Sequence, residues 1–214
     1  LMLPALVVAV FQAICLTVFV SVSLYNLKRS AASKDGVRFE AEVERPSGIF
    51  VVFAFFGTAA FFLETVLYIL LTFVGFETLM SDSVLQICFP FDSWVQLAGS
   101  VLIAFAYALF VWSILARGRY ATSWSMPEDQ KLVTWGPYRY VRHPSYLAYF
   151  ILFVGLFLTL LNWIAVLSFI AIPGYVQLVA LEEKLLTKRF GEAYREYQRT
   201  TGKFFPKIKQ RARL

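Results

Sequence analysis

The chain has 214 residues, 59% of them hydrophobic and only 16% charged, with a mean hydropathy of +0.65. Soluble domains carry nearer a quarter charged residues and lack repeated apolar runs of membrane-spanning length, so composition excludes an ordinary soluble domain and predicts a polytopic membrane protein. The formal charge of +6 does not indicate nucleic acid, because every Lys and Arg falls within residues 28–45, 117–142 or 184–213, three segments that the apolar runs place on one side of a membrane, where cations fix topology and meet anionic lipid.

The first apolar run, residues 3–24, is long enough to span and leads straight into Lys28-Arg29. It lacks a basic leader and a small-residue cleavage site, so it reads as a span rather than a signal peptide. A second run, 48–76, carries one acid, Glu64, and offers Thr58, Ala59, Ala60 and Gly75 as small surfaces for helix contact. Residues 77–93 hold acids and no cation, and so form the outside loop. The third span is 94–116. Cys15 and Cys88 show neither metal-ligand spacing nor a disulfide framework.

Two further apolar stretches, 146–161 and 163–181, are separated by Asn162 and predict a helical hairpin whose second arm is kinked near Pro173-Gly174. From Glu182 to Arg199 the chain reads as an amphipathic helix, with Phe190, Tyr194 and Tyr197 at helical spacing. The expected fold is all-α: a single membrane domain over 1–214 of about five transmembrane helices plus the C-terminal amphipathic helix. Its first three spans occupy 1–116, and a motif loop, the hairpin and the terminal helix occupy 117–214. The N-terminus is expected outside or lumenal, and the C-terminus and motif loop cytoplasmic.

One segment concentrates polar, aromatic and backbone-fixing residues: Trp135-Gly136-Pro137-Tyr138-Arg139-Tyr140-Val141-Arg142-His143-Pro144-Ser145-Tyr146, which includes the only histidine. Gly136-Pro137 forces a turn, and Pro144 stands where the next helix starts, a position at which its missing amide hydrogen costs nothing. The unpaired donors of that helix start suit a carboxylate. Glu182-Glu183, at the membrane exit of the last apolar arm, suit an ammonium or ribose hydroxyls. A ligand with a carboxylate, an ammonium, a sulfonium and an aromatic base, such as S-adenosylmethionine, fits between the two groups. Trp124 and Trp135 are close enough in sequence to wall such a pocket.

Residues 130–138, Gln-Lys-Leu-Val-Thr-Trp-Gly-Pro-Tyr, followed by Arg142-His143-Pro144-Ser145-Tyr146, resemble the cofactor motif of the isoprenylcysteine carboxyl methyltransferase family, whose outline the related membrane phospholipid N-methyltransferases share. Glu182-Glu183-Lys184-Leu185-Leu186, the stretch from Phe190 to Tyr197, and Gly202-Lys203-Phe204-Phe205-Pro206 are similar to its C-terminal signature. The resemblance implies an integral membrane enzyme that binds S-adenosylmethionine, releases S-adenosylhomocysteine and contains no metal. It implies cofactor contacts from Gln130, Lys131, Leu132, Val133, Tyr138, His143, Pro144, Ser145, Tyr146, Glu182 and Glu183, with Glu182 favoured over Glu183. Gln130 stands where the family often has His. Leu178 replaces an Arg that the prenylcysteine enzymes place four residues before the cofactor glutamate. The resemblance therefore implies a lipophilic, membrane-resident acceptor, either a prenylcysteine-type carboxylate or another lipid-like molecule, and names no residue that binds it.

Glu64, an ionisable group in mid-span, is a candidate catalytic residue or a hydrogen-bonded packing residue. Two other readings stay open: an NADPH-dependent enzyme like the membrane sterol reductases, which also use an Arg-His-Pro-x-Tyr stretch, and a non-catalytic membrane protein that retains the motif.

Overall fold

The computed structural model describes residues 3–32, 38–40, 48–76, 79, 85–88, 90–120, 125–127 and 129–207. Within them run α1 (Ala5–Ala32), β1 (Arg38–Glu40), α2 (Ile49–Val74), α3 (Asp92–Arg117), β2 (Ser125–Pro127), α4 (Pro144–Leu160), α5 (Ala171–Phe190) and α6 (Glu192–Thr200), with single 3-10 stretches at Gly136–Arg139 and Trp163–Ile170. The fold is all-α, as the sequence predicts, apart from β1 and β2, which pair antiparallel over three residues each. Apolar runs become helices in lipid because only a helix satisfies every backbone donor and acceptor within its own segment.

Among the described residues, four segments are long and apolar enough to cross a membrane: Ala5–Lys28, Ile49–Val74, Asp92–Arg117 and Trp163–Phe190. The chain is a multi-pass integral membrane protein. A fifth apolar helix, α4, is shorter: its 17 residues reach about 25 Å at 1.5 Å per residue, against a hydrocarbon core of about 30 Å, and they carry the chain from the motif segment to the turn at Leu161. Phe55, Phe56, Leu63, Phe73, Phe105 and Leu115 are exposed and face the lipid, while Phe61, Ile103, Leu152, Phe153 and Leu156 are fully buried.

The predicted hairpin turns at Leu161-Asn162. Leu161 adopts a left-handed conformation (φ 49°), its N–H donating to Phe157 O, and Asn162 Oδ1 accepts from Ile164 N at 2.9 Å. The arms then part: α4 packs chiefly on α3, and α5 on α2. Close approach follows from glycine, since a Cβ on Gly99 would lie 2.6 Å from Thr159 N, and one on Gly174 would lie 2.3 Å from Phe50 O. Gly75 makes no helix contact; it ends α2 in a left-handed turn (φ 83°). Replacing Gly99 by leucine is expected to destabilise the α3–α4 pair by about 1–3 kcal/mol, read as a lower melting temperature in detergent.

The second arm begins as a 3-10 turn and becomes α-helical at Ala171, two residues before Pro173. Pro173 lacks a donor, and its ring crowds the carbonyl four residues back, which fixes the break there. The amphipathic helix expected from Glu182 to Arg199 is two pieces: α5 runs on to Phe190, Gly191 turns with φ 55°, and α6 follows. Glu182 and Glu183 therefore lie deep within α5 and not in the first turn of a surface helix.

The bundle has two ends. At one, Leu3 N donates to Gln96 Oε1 (2.7 Å), Gln96 Nε2 to Thr159 O (3.0 Å), and Ile87 N to Leu161 O (2.7 Å). At the other, β1 meets β2, and Arg142 N donates to Gly202 O at 2.8 Å. The described parts of the three basic segments thus lie at a single end.

Candidate functional site

The motif segment is held from both sides. Trp135 Nε1 donates to Ala116 O at 2.7 Å, at the end of α3. Gly136 has φ 60°, and a Cβ there would meet that of Ala116 at 2.8 Å, so only glycine makes this turn. On the other side, Tyr197 OH of α6 donates to Tyr138 O at 2.5 Å. The strap after α6 accepts backbone hydrogen bonds from Arg142 N to Gly202 O and from His143 N to Lys203 O, at 2.8 and 3.1 Å. Pro144 then opens α4.

These contacts deliver Arg142 and His143 to the acids of α5. Arg142 Nε and Nη2 lie 2.9 and 2.8 Å from Glu183 Oε1, and Arg142 Nη1 also donates to Thr201 O. His143 Nε2 stands 3.2 Å from the same carboxylate oxygen, and Lys203 Nζ 3.1 Å from Glu183 Oε2. A carboxylate only accepts, so His143 Nε2 carries the hydrogen towards Glu183, while Nδ1 stands 3.8 Å from Glu182 Oε2, beyond hydrogen-bond reach. Tyr146 OH donates to Glu182 Oε1 at 2.6 Å. His143 is 5% exposed, and the side chains of Arg142, Glu183 and Glu182 are 8%, 12% and 14% exposed, so this is a desolvated network.

Next to the network is a cavity of about 310 Å³. Of the residues predicted from sequence, Gln130, Lys131, Leu132, Val133, Tyr138, His143, Ser145, Tyr146 and Glu182 line it. Pro144 and Glu183 do not: Pro144 starts the helix, and Glu183 stands behind His143, accepting from its ring. Glu64 is buried in α2 away from the lining, with Oε1 unpartnered among the described residues, and half-buried Leu178 also stays outside it. Trp124 lies outside the described residues; Trp135 anchors the loop to α3 and does not line the cavity.

Sequence reasoning missed Phe110 and Arg117 of α3, Tyr120, Tyr149 of α4, Tyr175 and Leu186 of α5, and Tyr194 and Tyr197 of α6, all of which line the same cavity. Tyr175 was findable. It precedes Glu182 by two helical turns and so shares its face. Tyr149 stacks on Tyr175 and Tyr146 meets it edge-on, with ring centroids 5.3 Å apart in both pairs, and Tyr175 OH shares a 2.6 Å hydrogen bond with Thr58 Oγ1. Burial raises the phenols of Tyr138, Tyr194 and Tyr197 above their ordinary range, so all three act as neutral hydrogen-bonding groups.

Three buried polar atoms of cavity residues have no hydrogen-bond partner among the described residues: Arg117 Nε, Gln130 Oε1 and Tyr194 OH. Gln130 is held by its other end, Nε2 donating to Tyr120 O at 2.8 Å. Buried polar groups are otherwise nearly always paired, so two donors and an acceptor left open on one cavity wall mark it as built for a polar ligand.

Residues 94–193 match the family model described as phospholipid methyltransferase. The match takes in α3 to α5 and most of the cavity wall, and stops short of Tyr194, Tyr197 and the strap. The chain is also 36% identical over 83 residues to the protein-S-isoprenylcysteine O-methyltransferase of Schizosaccharomyces pombe, covering 38% of this chain and 35% of that protein. It is 34% identical over 83 residues to the enzyme of the same name from Dictyostelium discoideum (38% and 35%), and 30% identical over 118 residues to protein-S-isoprenylcysteine O-methyltransferase A of Arabidopsis thaliana (53% and 60%). The matched stretch thus spans from about a third to three fifths of these relatives' length. A solved structure of the eukaryotic intramembrane Ras methyltransferase ICMT aligns with a TM-score of 0.49 at 21% identity, over 92% of this chain and 68% of that one. The resemblance read from the two motifs is borne out by the family model and by the named relatives.

Proposed function

We propose that this chain is an integral membrane methyltransferase that takes its methyl group from S-adenosylmethionine and gives it to a lipophilic, membrane-resident acceptor. The observation that carries the proposal is the cavity itself, ionic and hydrogen-bonding on its solvent side, phenolic on its bilayer side, and left with open polar atoms on its wall.

The residues present fit the cofactor. Arg117 offers a buried guanidinium donor for a carboxylate, and Glu182 an acceptor for an ammonium or ribose hydroxyls. Gln130 and Tyr194 offer an acceptor and a donor for the purine edge, and the faces of Tyr146, Tyr149 and Tyr175 favour a sulfonium. When bound, the cofactor supplies a methyl group already activated by the positive sulfur. The protein's part is then alignment and exclusion of water, and its buried ring cluster and locked loop suit both tasks. His143 is oriented by Glu183 and Tyr146 orients Glu182, so neither ligand-facing group needs to reorganise when the site fills.

The acceptor enters from the bilayer, where α4 and α5 diverge. The relatives' names specify isoprenylcysteine; for this chain the proposal stops at a lipophilic acceptor, because Leu178 offers no cation where a substrate carboxylate is expected to be met. The end of the bundle that gathers the basic segments faces the cytoplasm, by the excess of Lys and Arg there.

Calorimetry on the purified protein in detergent should show binding of S-adenosylhomocysteine and none of NADPH. Glu182→Gln and His143→Ala should each weaken binding about tenfold or more, the loss expected when a charged hydrogen bond goes. No binding by the wild-type protein would sink the reading, and NADPH oxidation by membranes containing it would replace methyl transfer with reduction.

A further inference from the structure

On the far side of Glu183 lies a second, shallower depression of about 510 Å³. Lys184 and Lys188, one turn apart on α5, form one wall; Arg195 of α6 and Lys203 of the strap form the other, with Thr187 and Gln198 between them. The depression therefore holds four cations against one acid, Glu183. That acid is already engaged: Oε1 receives Arg142 and His143, and Oε2 lies 3.1 Å from Lys203 Nζ. Arg195 also pairs with Glu192 at 3.2 Å, on an exposed carboxylate that it shares with Arg199 at 2.9 Å. Four ammonium and guanidinium groups lining one concavity that also offers the Gln198 amide are the chemistry of a phosphate site.

The level of the groove selects the source of the phosphate. Phe204 of the strap packs on Phe150 of α4 with ring centroids 5.1 Å apart, so the strap lies against the membrane-embedded bundle. The neighbouring Phe205 is 78% exposed, next to exposed Lys207, whose Nζ donates to Gln198 O and Arg199 O. An exposed ring flanked by cations at the rim of an apolar bundle is an interfacial anchor. The groove thus opens at headgroup depth.

The structure assigns to this groove the binding of the phosphate of an anionic phospholipid headgroup, at a site distinct from the ligand cavity and separated from it by Glu183. The assignment stands independently of methyl transfer, since its groups face away from the cavity and its readout is lipid.

The test titrates short-chain phosphatidylglycerol, short-chain phosphatidylcholine and inorganic phosphate into the detergent-purified full chain, with bound molecules counted by native mass spectrometry. One phosphatidylglycerol per chain should be retained about tenfold better than phosphatidylcholine. The double variant Lys184→Ala/Lys188→Ala, at two exposed positions, should lose the preference, and Lys184→Arg/Lys188→Arg should keep it. Equal retention of the two lipids by the wild-type chain, or an unchanged preference in the double alanine variant, overturns the site. Inorganic phosphate held as tightly as phosphatidylglycerol overturns the lipid as its ligand.

Discussion

Replacing Glu183 by alanine is expected to be the most damaging single change in the chain, lowering stability by about 3–5 kcal/mol. The side chain lines no part of the cavity, yet it is the common partner of Arg142, His143 and Lys203. Its loss leaves a guanidinium that is 8% exposed without a counter-charge, and an uncompensated buried charge is worse than an absent pair. Glu183→Gln keeps the shape and one acceptor oxygen but not the charge, and should fall between wild type and alanine. Thermal unfolding in detergent, followed by the loss of monodisperse protein on size exclusion, reads the order directly. A melting temperature for Glu183→Ala within a degree or two of wild type would mean that the network contributes nothing to the fold. Arg142→Ala should cost less than Glu183→Ala, because it leaves Lys203 to balance the acid.

The second large effect is expected at Gly202. A Cβ there would lie 1.7 Å from Phe205 O and 3.0 Å from its carbonyl carbon, and both obstacles are backbone. Even Gly202→Ala must therefore move the strap, and with it the carbonyls that accept from Arg142 N and His143 N. Helices α1 to α5 do not depend on that contact, so the variant should still insert and purify. Affinity for S-adenosylhomocysteine should fall severely, and turnover by about 100-fold, the scale set by a displacement of about 1 Å at a reacting centre. Retained protein yield with lost binding is the expected signature; wild-type binding by Gly202→Ala would show that the strap does not hold the motif loop. Comparison with Glu183→Ala separates the two roles, one change removing stability and the other removing position.

The helices were legible because lipid makes backbone satisfaction and side-chain hydropathy agree along each run. The hairpin turn at Asn162 was legible too, since a polar residue that can cap a helix interrupts two apolar stretches. The partners of each arm were not. Nothing in the periodicity of residues 144–160 says that α4 packs on α3 rather than on α5, because apolar side chains surround it on all sides. At the site, the sequence displayed the turn, the helix start and the paired acids. Glu182 was favoured over Glu183 only through the family resemblance; the two are chemically identical neighbours, and the rotation of α5 is what sets one on the cavity and the other behind His143. Arg117 was read as a topology anchor because it ends a span, and its buried Nε appears only once the turn at Gly136 closes over α3. The ring cluster fell between these cases: Tyr149 follows Tyr146 by one turn and Tyr175 precedes Glu182 by two, so helical geometry alone places them on the faces that line the cavity.

The strap has a consequence for how the protein is made. The carbonyls that fix Arg142 and His143 belong to residues 202 and 203, whereas the last apolar helix ends at Phe190. The apolar helices α1 to α5 are therefore all made before the strap that closes the pocket. Until the strap arrives, the motif loop is held only from the α3 side, by Trp135 on Ala116, and ligand binding reports docking of the strap rather than insertion of the apolar helices.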